Sequence, residues 1–295
     1  MKKTSLTLFL IQSILCFIIF GCGDADKLNG VPDKKEQVIL NDHTLSTDET
    51  WTPDQSYTVN GELRIPPTVV LEILPGTSVK FGVDAYVVVR GTVRIGTPLT
   101  QAVLDELVYL SSNSASPDSG DWRGFLFDHT HDVDSFFRGV VIQHAKIAMD
   151  IKTASPIIMD SILQQNETAI ALDGSNSVIQ HNRIIHNEVG IYTIGRQTRP
   201  RIEKNNILEN DSGIICENVQ SIIKNNNLER NDFSLRLQVK FDLHVSNNWW
   251  GSTADNIIDE TILDSQDSNL ITKPVGTVTY QPISAFQFPD AGPRE

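Results

Sequence analysis

Cysteine, basic side chains and long apolar runs are all scarce in this chain, and each scarcity removes a class of protein. Three cysteines occur in 295 residues, and two of them, Cys16 and Cys22, stand near the N-terminus. If those belong to a leader and its processing site, Cys216 is the one thiol of the body. No internal disulfide can then staple it, and the fold must rest on packing. Lysine and arginine number 24 against 37 aspartates and glutamates, a formal net charge of −13. Loss of Lys2 and Lys3 with a leader makes the body more acidic still. Such a surface repels phosphate backbones, which excludes nucleic acid as a partner. The extended apolar run from Leu6 to Phe20 is too short to span a bilayer comfortably. Gly-x-Ser-x-Gly elbows, Walker loops and dinucleotide glycine motifs are lacking. Apolar residues do not recur at helical spacing, so amphipathic helices are not the main element.

Met1, Lys2 and Lys3 followed by that apolar run form the layout of a secretory leader. It closes on Ile19, Phe20, Gly21 and Cys22, which resembles a lipobox. The resemblance implies that residues 1–21 are removed and that Cys22 becomes the acylated first residue. Buried methylenes contribute about 0.8 kcal/mol each, so two or three acyl chains hold a protein on a lipid membrane without any helix. Residues 22–37 are rich in Asp, Lys, Gly and Asn, cannot bury enough surface to order themselves, and read as a tether. Gly23 and Asp24 after the cysteine favour the outer membrane, on its periplasmic or cell-surface face. Residues 38–295 remain for one folded domain.

A repeat organises that domain. Ile158, Ile179, Ile202, Ile223 and Val245 lie 21, 23, 21 and 22 residues apart. Three places after these anchors stand Ser161, Asn182, Asn205, Asn226 and Asn248, and five places after them Leu163, Ile184, Ile207, Leu228 and Trp250. A second asparagine column holds Asn166, Asn187, Asn210 and Asn231, and small residues occupy Ala169, Gly190, Gly213 and Ser234. Each period reads as a coil of short strands with alternating inward residues, among them Ile170 and Leu172, Ile191 and Thr193, Ile214 and Cys216. Cys216 is therefore a small buried hydrophobe. Coils stacked about 4.8 Å apart put equal side chains over one another, so the asparagines form two amide ladders at two corners. Asn also tolerates the left-handed backbone that a corner needs. Regular repeats run over about 139–251, and a C-terminal cap over about 252–288, where aromatics close the core. An N-terminal cap covers about Val38 to Tyr57.

The N-terminal half is looser. Val59, Gly61, Leu63, Arg64, Ile65 is echoed thirty residues on by Val89, Gly91, Val93, Arg94, Ile95, which suggests broader coils. Residues Leu99 to Ser119 depart from the pattern and read as a projecting loop, with a loop or short helix near Ala102 to Leu107. With Trp51 and Tyr57, the Pro75, Gly76, Val79, Phe81 turn, Trp122, Arg123, Gly124 and the closing Asn248, Trp249, Trp250, Gly251, the chain resembles secreted bacterial proteins with right-handed parallel β-helix repeats, the superfold of pectate lyases. The resemblance implies an all-β fold: a single-stranded right-handed parallel β-helix, a solenoid capped at both ends. It does not fix function, because the fold carries unrelated activities.

Chemistry is concentrated in few places. Asp128, His129, His131, Asp132 and Asp134 form the densest polar cluster, of a type that binds a transition metal or calcium. Outward His186, Glu209 and Arg230 stack seven places after their anchors as a candidate ligand face. Trp249 and Trp250 read as core-capping, with Trp250 inward. Three functions follow. The first is a non-catalytic envelope lipoprotein that binds a polysaccharide or an envelope protein through a rigid sheet face. The second is a lyase, epimerase or hydrolase on an acidic glycan, for which calcium would have to bridge two acidic partners. The third is copper handling through the loop 128–134, which relatives of the fold perform.

Overall fold

The computed structural model describes residues 35–128, 134–195, 197–218, 220–267 and 273–294. The leader, Cys22 and most of the tether therefore lie outside the described residues. Gln37 to Glu295 forms one compact unit, a parallel β-solenoid of about 9 turns.

Short strands pile into three stacks. One is an eight-stranded sheet whose inward column runs Trp51, Ile73, Ile95, Phe137, Ile158, Ile179, Ile202, Ile223, each paired in register with the next. Every residue of that column is buried. The other two stacks share the long strand Gln55–Ile65, whose Tyr57 to Val59 pairs with Ser78–Phe81 and whose Glu62 to Ile65 pairs with Tyr86–Val89. It can serve both because the chain bends at Gly61, where φ is +80°.

These registers correct the thirty-residue echo. Ile65 pairs with Val89, and Ile73 with Ile95, so the N-terminal coils have nearly the same length as the later ones. The echo arises because outward Arg64 and Arg94 sit in similar alternating strands of different sheets. What disguises the period is a single coil, Thr92–Gly96, Val108–Ser112, Gly124–Asp128, with an insertion after each of its three strands. The insertion before Val108 is an irregular loop, not a helix. It is pinned by Arg138, which donates to the carbonyls of Pro98 and Gln101 at 2.8 and 2.6 Å.

Both asparagine columns are continuous ladders. Asn182 Nδ2 donates to Asn205 Oδ1 at 3.0 Å, Asn205 to Asn226 at 3.0 Å and Asn226 to Asn248 at 3.1 Å. Asn166, Asn187, Asn210 and Asn231 are linked in the same way, each step 3.0 Å. Each Oδ1 also accepts the backbone N–H of the preceding rung's ladder residue, as from Asn182 to Asn205 at 2.9 Å. The ladder asparagines do not supply the left-handed corner. That backbone belongs to the residue before each of them: His181, Lys204, Asn225 and Asn247 in one column, Gln165, His186, Glu209 and Arg230 in the other, all with φ between 54° and 59°. The amides, turned inward, satisfy the backbone groups that such a corner would otherwise leave unpaired. Small residues are needed beside them: a Cβ on Gly190 would lie 2.5 Å from the Gly213 carbonyl oxygen.

Aromatic side chains lie near both ends of the stack, and the last stretch of the chain departs from the expected cap. Trp51 stacks on Tyr57 at 4.6 Å near the N-terminal end. At the other end Trp250 is buried against Tyr280, and a one-turn helix, Asp255–Asp259, precedes Ile262–Leu263, which extends the sheet. Phe286, inside the expected cap, is 80 % exposed. From about Pro282 the chain instead runs back along the outside. Phe288 N–H donates to Asn227 Oδ1, Gly292 N–H to the Lys204 carbonyl, and Lys204 Nζ meets Asp290 at 2.8 Å. The strap ends with Arg294 on Asp160, at 2.7 Å, where Arg138 also binds at 3.0 Å.

Candidate functional site

The cluster of Asp128 to Asp134 is an insertion between the strands Gly124–Asp128 and Phe136–Arg138. Alternation fixes its base. Phe127 and Phe137 point inward and meet edge to face at 6.2 Å, so Asp128, next to Phe127, must point out. There it accepts from Arg90 Nε at 2.8 Å and Nη2 at 2.6 Å. Asp134, at the other end, lies 4.0 Å from Arg94, which also holds Glu72 at 3.2 Å. The two flanking carboxylates are thus engaged with guanidinium groups, and a cation would have to displace these to use them. His129, His131 and Asp132 lie outside the described residues. Among the described residues no group of three His, Cys, Asp or Glu side chains could hold a metal ion.

His186, Glu209 and Arg230 do form one column. His186 Nε2 lies 2.7 Å from Glu209 Oε2, and Arg230 lies 3.1 Å from Glu209 Oε1. All three side chains are well exposed on a turn, where such pairs contribute roughly 0–1 kcal/mol. Two rungs earlier the column begins with His144, which is buried; burial lowers its pKa, and Ser111 Oγ lies 3.0 Å from its Nδ1. His181, at the equivalent corner of the other column, is likewise lowered by burial and faces the Asp290 carbonyl at 3.1 Å.

Cys216 is fully buried, and burial pushes its thiol up to about 12. It is therefore a core side chain and not a nucleophile or a thiolate ligand. Trp249 lies over the flank of the last rungs and donates to Glu229 at 3.0 Å.

Sequence reasoning missed the most deeply buried charged cluster and read Glu203 as an outward surface residue. Asp160 is fully buried between Arg138 and Arg294. Burial raises its carboxyl pKa, but the hydrogen bonds from the two arginines outweigh this and hold it below the ordinary value. Glu203, also largely buried, is lowered in the same way: burial raises it, and Arg201 at 2.8 Å, Gln180 at 2.8 Å and Lys224 at 3.4 Å pull it down. Arg90 and Arg94 hold the ends of the loop, Arg90 from the bend directly after the strand Tyr86–Val89 and Arg94 from an outward position of the strand Thr92–Gly96. Nothing but their place in or beside alternating strands marked them in the sequence.

Residues 108–266 match the family described as "Periplasmic copper-binding protein (NosD)". The matched span covers more than half of the chain and contains the insertion at 128–134 and both amide ladders. No curated protein and no solved structure matches.

Proposed function

The chain belongs to the NosD family, and from that premise we propose that it is a copper-handling protein of the periplasm that takes copper as cargo on the insertion between Asp128 and Asp134. The observation that carries this reading is the family match, which spans the insertion. The donor chemistry supports it. His129 and His131, two positions apart and followed by Asp132, offer imidazole and carboxylate, a set that suits copper better than calcium. The base of the insertion is stiff: Phe127 is locked in the core, and Arg90 holds Asp128. Arg90 and Arg94 neutralise the two end carboxylates, which leaves the imidazoles as the preferred donors. This reading makes the molecule a binding protein rather than an enzyme, and it ranks copper ahead of the polysaccharide and lyase readings.

The leader and Cys22 fit the same picture. An acylated Cys22 followed by the tether would hold the solenoid at a membrane surface facing the periplasm, where cargo passes between partners.

Copper titration of the mature protein tests the proposal, with Cu(I) measured in competition with a chromophoric chelator and Cu(II) by electron paramagnetic resonance. One equivalent should bind saturably. The His129→Ala/His131→Ala variant should lose at least about tenfold in affinity, equivalent to about 1.4 kcal/mol, with an unchanged circular dichroism spectrum. Failure of the wild-type protein to bind copper, or equal binding by the double variant, would overturn it.

A further inference from the structure

Outward residues on the first three rungs of the sheet that contains Tyr86–Val89 and Gly124–Asp128 build a second feature, largely upstream of the matched span. Register sets Arg64 beside Val88 and Val88 beside Leu126, while Glu62 lies beside Tyr86. Val88 and Leu126 are half-buried and form an apolar floor. Around it stand Arg64, Arg90 and Arg123, and the whole lines a groove with a volume of about 510 Å³. That is room for a small organic molecule.

The three arginines are held in different ways. Arg64 is clamped by Glu62 on its own strand, with Nε 2.6 Å from Oε1 and Nη2 2.8 Å from Oε2. Arg90 places Nε and Nη2 on one oxygen of Asp128. In both cases the fork is oriented by its inner edge, and Nη1 is left to face elsewhere. Arg123 differs: its guanidinium lies 4.4 Å over the Tyr86 ring. It makes no ion pair among the described residues. Stacking on Tyr86 fixes its plane while leaving its five N–H donors available. Three guanidinium groups against the two carboxylates Glu62 and Asp128 leave one positive charge in excess, in a chain whose net charge is −13. Like-charged arginines gathered on a groove with an apolar floor are stabilised by an anion that bridges them, and guanidinium forks match planar and tetrahedral oxyanions.

We propose that this groove is an oxyanion-binding site, which takes a carboxylate or phosphate group of a small molecule on Arg123, with Arg64 and Arg90 as flanking cations and Val88 and Leu126 under its carbon skeleton. The groove adjoins the proposed copper insertion through the shared Arg90–Asp128 pair, but its ligand is an anion and the proposal does not depend on copper. It makes the N-terminal rungs a second binding surface, selective for acidic small molecules despite the acidity of the body.

Isothermal titration of the mature protein with citrate, inorganic phosphate and uncharged glucose tests it. Saturable binding of citrate, phosphate or both, with a Kd of about 1 mM or tighter, is expected, and none of glucose. Citrate alone would assign a carboxylate ligand and phosphate alone a phosphate ester. Arg123→Gln should weaken binding at least about tenfold, whereas Arg183→Gln, at an exposed position of the strand Arg183–Ile185 on a distant rung, should leave it unchanged. Binding should also weaken with added salt. Absence of saturable binding by either anion, or equal weakening in the two variants, would overturn the proposal. Arg123 is exposed, so its replacement leaves the core intact, and a circular dichroism spectrum matching the wild type checks this.

Discussion

Replacing Asn205 by alanine tests the ladder at its centre. Asn205 Oδ1 accepts both the Asn182 backbone N–H, at 2.9 Å, and Asn182 Nδ2, at 3.0 Å. Its own Nδ2 reaches the Ile179 and Glu203 carbonyls and Asn226 Oδ1. Alanine removes all of these in a place where no exposed surface offers a substitute. The Asn182 N–H and the Ile179 carbonyl are then left without the partners that met them. A buried polar group so stranded costs about 1–3 kcal/mol, so the variant should lose about 4 kcal/mol, against a total for ordinary domains of roughly 5–15 kcal/mol. Because each rung touches only its neighbours, the loss should be local at first. Hydrogen exchange should show deprotection centred on the amides of Asn182, Asn205 and Asn226, with Val87 and Phe125 little changed, and urea denaturation should give the total. Arg183→Ala, an exposed position of the strand that follows Asn182, is the control and should cost less than about 0.5 kcal/mol. Should Asn205→Ala lose less than about 1 kcal/mol, or deprotect all rungs equally, the ladder does not hold the coils together as described.

Three further outcomes follow from the buried charges and thiol. The carboxyl of Asp160 and the imidazoles of His144 and His181 all have pKa values lowered in the folded state, so the folded form binds protons less readily than the unfolded chain. Stability should therefore be full above the ordinary histidine range, fall as pH drops through it, and fall again below the ordinary aspartate range. Arg294→Ala removes the Asp160 partner contributed by the strap and should free residues 282–294 to proteolysis while the rungs stay protected; a strap that remains resistant would show that Asp290 and Phe288 suffice. Cys216 should resist alkylation at pH 8 in the native protein and react at once in denaturant, and rapid labelling of the native form would contradict its place in the core.

The repeat was legible because a solenoid is nearly one-dimensional. Each coil must place an isoleucine over the last isoleucine and an asparagine over the last asparagine, so the packing rule is written into the chain at intervals of 21 to 23 residues. Where insertions lengthen a coil, the same rule acts in space but not along the sequence. Ile95 lies over Phe137 as surely as Ile158 lies over Ile179, yet the first pair is 42 residues apart and the second 21. The left-handed corners were misassigned for a related reason. A glycine or asparagine is usually required at such a φ, but here His181, Lys204, Glu209 and Arg230 adopt it because the neighbouring amide holds the turn.

Charged sites escaped sequence reading for a deeper reason. Arg294 and Asp160 stand 134 positions apart, and their contact depends on a strap whose path no local propensity specifies. Arg64, Arg90 and Arg123 each look like solitary surface residues, and only the stacking of three rungs gathers them on one groove. A β-solenoid therefore declares its interior early and its exterior late. The inward columns must be alike from coil to coil, since every rung buries against the next, while the outward columns are free to differ. Departures from bland polarity on that outer face, such as arginines around an apolar floor, are not imposed by the repeat, and function is the remaining constraint that can account for them.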